Sequence, residues 1–220
     1  LLAGSLIFYA WGEPVFIILM MISIIMNYLV GRLIDSTERK QLFLTLGLAG
    51  NLGLLIYFKY FSFFIANIAA HTGAALTVPN IALPLGISFF TFQAITYLVD
   101  LYRGQIKVQK NFFNLALYIS LFPQLIAGPI VRYHDIEKQI TDRTVTQDDF
   151  IHGARRFIIG FAKKILIANS FGGVADEIFA LPESDMTSPL VALAIVAYTI
   201  QIYFDFSAYS DMAIGLARMF

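Results

Sequence analysis

Two carboxylates, Asp205 and Asp211, stand inside the last apolar run of the sequence, in the stretch Gln201-Ile202-Tyr203-Phe204-Asp205-Phe206-Ser207-Ala208-Tyr209-Ser210-Asp211-Met212-Ala213-Ile214-Gly215. An acid at membrane depth is costly, so it faces protein or a wet cavity and marks a functional route or an internal partner. At about 100° per residue, Gln201, Asp205, Ala208, Tyr209 and Met212 share one face, whereas Ser207, Ser210, Asp211 and Ile214 lie on another. A polar arc this wide needs polar neighbours on more than one side. Two roles stay open: the polar residues line a substrate path, or the acids take hydrogen bonds or a Lys or Arg from neighbouring helices.

The three His invite a general-base reading because imidazole titrates near neutral pH. None is well placed for it: His71 lies in an uncharged linker, His134 follows a Gly128–Pro129 break, and His152 sits beside Arg155 and Arg156. No His has a second His or a carboxylate at metal-ligand spacing, so no metal site is expected. The absence of Cys removes thiolate chemistry. Phosphate-binding glycine loops, a nucleophile elbow and a dinucleotide fingerprint are also missing. Ser88, Thr91, Gln93 and Thr96 give one more apolar run a polar side, as helix-to-helix glue or as part of a path. Arg132, Arg155, Arg156, Lys163 and Lys164 form a basic group that could attract an anionic donor, or simply reflect membrane orientation.

These residues must be positioned by membrane helices. Of 220 residues, 58% are hydrophobic and 14% charged, and Phe occurs 21 times. An ordinary soluble domain is about a quarter charged. Net charge is zero, so no attraction to nucleic acid is implied. A crossing helix needs about 20 apolar residues. Expected spans are 1–11 as a partial span, 14–31, 41–64, 81–101, a weak one at 165–181, and 190–220. Arg32, Arg39 and Lys40 mark one linker as cytoplasmic; residues 66–80, without charge, are external; Arg103, Lys107 and Lys110 return to the cytoplasmic side. The run 112–131 breaks the alternation and carries Pro123, Gly128 and Pro129, which fits a re-entrant or in-plane segment best, the alternative being a kinked ordinary span with the basic loop outside. Thr146 and Asp149 form a capping pair for a membrane-surface helix through Phe161. The expected class is an all-α polytopic bundle in a single domain, with both termini read as truncations of an incomplete chain.

Three stretches then resemble the signatures of the membrane-bound O-acyltransferase family, in its bacterial alginate-acetylating branch: Leu83 to Gly104 (LPLGISFFTFQAITYLVDLYRG), Leu121 to Arg132 (LFPQLIAGPIVR) and Gln201 to Phe220 (QIYFDFSAYSDMAIGLARMF). Ala208 stands where the family pattern has Gly. The resemblance implies a multi-pass enzyme of the bacterial cytoplasmic (inner) membrane that moves an acetyl group from acetyl-CoA, a donor substrate rather than a bound cofactor, toward hydroxyls of an exported polysaccharide. It also implies an extracytoplasmic acetyltransferase partner. The family's His lies in an apolar segment after the FDFSAYSD-like motif, beyond Phe220, and its role cannot be moved onto His71, His134 or His152. Under the resemblance, Asp205, Ser207, Tyr209, Ser210, Asp211, Gln201, Gln93 and Arg132 are candidates for the substrate path. Alternatives are a transporter or flippase for a polysaccharide or lipid-linked precursor, and D-alanyl transfer to teichoic acid.

Overall fold

The structure is a computed structural model and describes residues 1–73, 77–125, 128 and 131–220. It is helical, with no strand among the described residues. Among the described residues four continuous helices are long and apolar enough to cross a bilayer: Phe16–Ser36, Lys40–Thr72, Gln147–Phe179 and Ser188–Met219. Packing divides the chain into two units, Leu1–Ile126 with Ile130–Arg143, and Ala127–Pro129 with Thr144–Phe220.

The first unit contains α1 (Leu2–Gly12), α2 (Phe16–Ser36), α3 (Lys40–Leu55), α4 (Phe61–Thr72), α5 (Ile87–Tyr102), α6 (Phe112–Ser120), α7 (Phe122–Leu125) and α8 (Tyr133–Thr141). A π-helical turn, Ile56–Tyr60, joins α3 to α4 without interrupting the rod. The expected span 14–31 runs on to Ser36, because past Gly31 the helix can carry Arg32 and Asp35 on exposed positions outside the apolar layer. The expected span 81–101 is shorter than its apolar run: Gly86, at φ +72, caps a helix that begins at Ile87. Its left-handed backbone suits Gly. Any Cβ there would fall 2.5 Å from the Leu125 carbonyl oxygen.

Helices α2, α3 and α5 form the core of this unit around Met20, Ile24, Phe90, Ala94 and Leu98, all without exposure. Asn27 and Asn51 are equally buried, and each amide donates to the other's oxygen, at 3.1 and 2.8 Å. Such reciprocal bonds fasten α2 to α3 where lipid gives no hydrophobic drive for helix association. Tyr97, Tyr118 and Tyr133 stack edge to face behind α5. Burial pushes the Tyr133 phenol above its ordinary range, against the lowering effect of the hydrogen bond from Gln109.

The run 112–131 does break. The helix stops at Ser120, Leu121 turns out of helical geometry, and Pro123 enters the second position of the short α7, where it does no harm. The rest of the expected re-entrant segment, including Pro129, lies outside the described residues apart from Gly128 and Val131.

The second unit is a helical hairpin. Its first arm is one rod from Gln147 to Phe179, made of α9 (Gln147–Ala162), a π-helical stretch (Lys163–Ala168) and α10 (Asn169–Phe179). Thr146 opens it with the expected capping box, accepting from the Asp149 N–H while the Asp149 carboxylate accepts from the Thr146 N–H. The surface helix ending at Phe161 and the separate span at 165–181 are therefore a single rod. Lys163 and Lys164 do not end it, because they find partners on the second arm, α11 (Ser188–Met219).

Candidate functional site

The two arms of the hairpin meet along small residues. A Cβ on Gly153 would lie 2.6 Å from the Gly215 carbonyl oxygen, and one on Gly160 would lie 2.7 Å from that of Ala208. Gly153 and Gly160 are seven residues apart, as are Ala208 and Gly215, so both pairs return to the same face after two turns. This spacing lets the backbones touch, as small residues do between membrane helices. Ala208 is fully buried in this seam.

Asp205 and Asp211 flank the seam on opposite sides, about 60° to either side of Ala208 at 100° per residue. Asp211 Oδ2 accepts from Lys163 Nζ at 2.6 Å, and its Oδ1 accepts from Arg156 Nε at 3.0 Å. Lys163 Nζ also donates to Ser207 Oγ at 3.3 Å. On the other side Lys164 Nζ donates to Asp205 Oδ1 at 2.5 Å. Consecutive lysines thus reach opposite flanks of one partner helix. The π-helical stretch begins at Lys163, and such a local widening is a frequent feature of functional helices.

Rod length places one of these pairs, Lys164–Asp205, within the hydrocarbon core of any bilayer that the arms fully cross. Each arm is about 50 Å long at 1.5 Å per residue, against a hydrocarbon core of about 30 Å. Lys164 and Asp205 both lie close to the middle of their arms. A core of that thickness, fully crossed by the rods, includes both of them wherever it falls. Neutralisation by direct pairing is the physical requirement for charge at such a level. Nearer one end of the hairpin, Arg218 Nε donates to Asp149 at 3.1 Å.

Both acids are ion-paired across the hairpin, with partners that spacing along the sequence does not disclose. Arg156, Lys163 and Lys164 bond the carboxylates of α11 in a ladder of ion pairs, while Arg155 on the same arm and Arg132 in the first unit are exposed. Of the other candidates on α11, Ser207 belongs to the ladder and Tyr209 is half-buried on the Asp205 flank. Gln201 covers Gly172, while its Oε1, like Ser210 Oγ, is buried without a hydrogen bond. Gln93 belongs to α5 in the first unit, where its side chain is fully buried and neither amide atom is bonded. Arg132 precedes α8 in the same unit.

Among the described residues the three His take no part in these ion pairs. His71 is exposed, with Nδ1 2.8 Å from the Asn67 carbonyl, and His134 is exposed beside Asp135. His152 is exposed on α9. Among the described residues no group of His and acids could hold a metal ion.

Residues 53–220 match the sequence profile of the MBOAT, membrane-bound O-acyltransferase family. The chain belongs to this family. The match covers the ladder, the seam and α5, and the whole chain aligns with individual relatives. It is 43% identical to the probable alginate O-acetylase AlgI of Azotobacter vinelandii, covering 100% of this chain and 45% of that protein. To the peptidoglycan O-acetyltransferase of Helicobacter pylori it is 37% identical, over 100% of this chain and 47% of that one. The teichoic acid D-alanyltransferase of Bacillus subtilis is 26% identical over 60% of this chain and 34% of its own. The chain spans less than half the length of these relatives. As an MBOAT chain with four helices able to cross a bilayer, it is a multi-pass membrane protein.

Proposed function

We propose that the complete protein is an O-acyltransferase of the bacterial cytoplasmic membrane that takes an acetyl group from acetyl-CoA and passes it toward hydroxyls of an exported polysaccharide, alginate first among them. The observation that carries this reading is similarity along the entire chain to relatives named for O-acetyl transfer, among them alginate O-acetylases at 43% and 42% identity. In such a transfer an oxygen nucleophile attacks the thioester carbonyl, its proton passes to a base, and the thiol of coenzyme A leaves. His71, His134 and His152, exposed and outside the ladder, are not assigned that base role.

The ladder is assigned a positioning role. Arg156–Asp211–Lys163 and Lys164–Asp205 hold the hairpin arms in one register, and the unbonded atoms of Gln201 and Ser210 offer polar contacts beside it. Exposed Arg132 and Arg155 remain available to an anionic donor. An extracytoplasmic acetyltransferase partner would complete delivery to the polymer. Expression of the full-length protein in an alginate-producing host stripped of its own O-acetylase tests the reading. Restored base-labile acetyl ester on the polymer supports it, and acetyl-free polymer with the protein folded in the membrane counts against it.

A further inference from the structure

At the basic end of the first unit, α5 closes in a tight C-terminal turn. Gln105 N–H donates to the Asp100 carbonyl and Gly104 N–H to that of Leu101, with Gly104 at φ +70. This doubly bonded turn satisfies the last carbonyls of the helix and throws the chain out as a strap, residues 104–111. Three tyrosines from three elements pin the strap. Gln109 N–H donates to Tyr97 Oη at 3.2 Å, Gln109 Nε2 to Tyr133 Oη at 2.7 Å, and Tyr28 Oη donates to the Lys110 carbonyl at 2.8 Å. Ile106 is buried beneath it.

Lys107 and Lys110 are left exposed on this fixed backbone, between two clefts of about 510 and 610 Å³. Lys40 lines the first cleft and Lys138 the second, with Asp35 and Glu137 as the acids present. None of the four lysines forms an ion pair among the described residues. The clefts also have apolar walls, Leu101, Ile106 and Val108, and the first lies at the ends of α2 and α5 and the start of α3. Lysines in excess of acids, apolar walls and a position at the ends of membrane helices match the phosphate of a membrane lipid. The same end carries the basic linkers, which places it at the cytoplasmic leaflet, where anionic lipids collect.

We propose that this strap and its two clefts bind the phosphate headgroup of an anionic phospholipid, with Lys107 and Lys110 as the principal contacts. The site anchors the first unit at the leaflet surface.

The test is the dissociation constant of the full-length protein for phosphatidylglycerol in detergent, by native mass spectrometry, with inorganic phosphate and ADP as competitors. Each lysine removed should weaken binding about fivefold, so Lys107→Gln with Lys110→Gln weakens it roughly 25-fold. Lys59→Gln, outside the strap and clefts, leaves it unchanged. Because all three lysines are exposed, the variants fold as the parent does, which circular dichroism verifies. Wild-type lipid affinity in the double variant overturns the proposal. Displacement of the lipid by ADP or phosphate at equal concentration also overturns it, and assigns the clefts to a soluble phosphate ligand.

Discussion

Lys163 Nζ lies 2.6 Å from Asp211 Oδ2, although 48 residues of sequence separate them. Arg156 approaches the other oxygen of the same carboxylate. Removing that carboxylate leaves two cations facing one another on the first arm. Asp211→Asn is therefore expected to destabilise the full-length protein by about 1–3 kcal/mol, below the cost of breaking a fully buried pair because the Lys163 side chain keeps 31% exposure. Thermal unfolding in detergent reads the change, and a variant as stable as the parent would remove Asp211 from the ladder.

Among the described residues Lys164 and Asp205 pair only with one another, which separates positioning from substrate contact. Asp205→Ala is expected to impair acetyl transfer in the full-length protein, and Lys164→Asp with Asp205→Lys to recover a large part of it. A swap as inactive as Asp205→Ala, in folded protein, would argue that Asp205 touches substrate instead.

The small-residue seam predicts a sharp contrast between two glycines of the same arm. Gly160→Leu drives a side chain into backbone atoms of Ala208 and Met212, which cannot yield, and is expected to cost about 1–3 kcal/mol or more. No atom stands within 4 Å of where a Cβ on Gly173 would sit, so Gly173→Leu is tolerated. Equal folded yields from both variants, by size-exclusion of detergent-solubilised protein, would contradict the hairpin register.

In the first unit, the Asn27–Asn51 amide pair should show a coupling energy of about 0.6–2 kcal/mol in a double-mutant cycle of unfolding, the range for hydrogen bonds between membrane helices. Additive effects would mean that the two amides do not bond.

The apolar runs are readable as membrane helices because bilayer thickness imposes a length on them. Pairings between runs are not. Asp205 and Asp211 declare themselves by their cost, yet their partners lie more than 40 residues back, in a stretch whose own Lys163, Lys164, Asp176 and Glu177 make it look like a surface helix and a weak span. Only the neighbouring arm makes that stretch a single rod. Asn27 and Asn51 give no signal, since one Asn in an apolar run has no periodicity to mark it. The halt at Gly86 is half legible: Pro84 and Gly86 suggest irregularity, but the close approach of the Leu125 carbonyl belongs to another segment. Gln109 likewise looks like an ordinary linker residue until Tyr97 and Tyr133 converge on it.

Acetyl transfer itself is the most direct test. Membranes containing the full-length protein, given acetyl-CoA labelled in the acetyl group together with de-acetylated alginate and the extracytoplasmic components of the host, should place base-labile label on the polymer, and control membranes without the protein should not. Label that never leaves acetyl-CoA, with the protein folded and present, would contradict the acyltransferase reading.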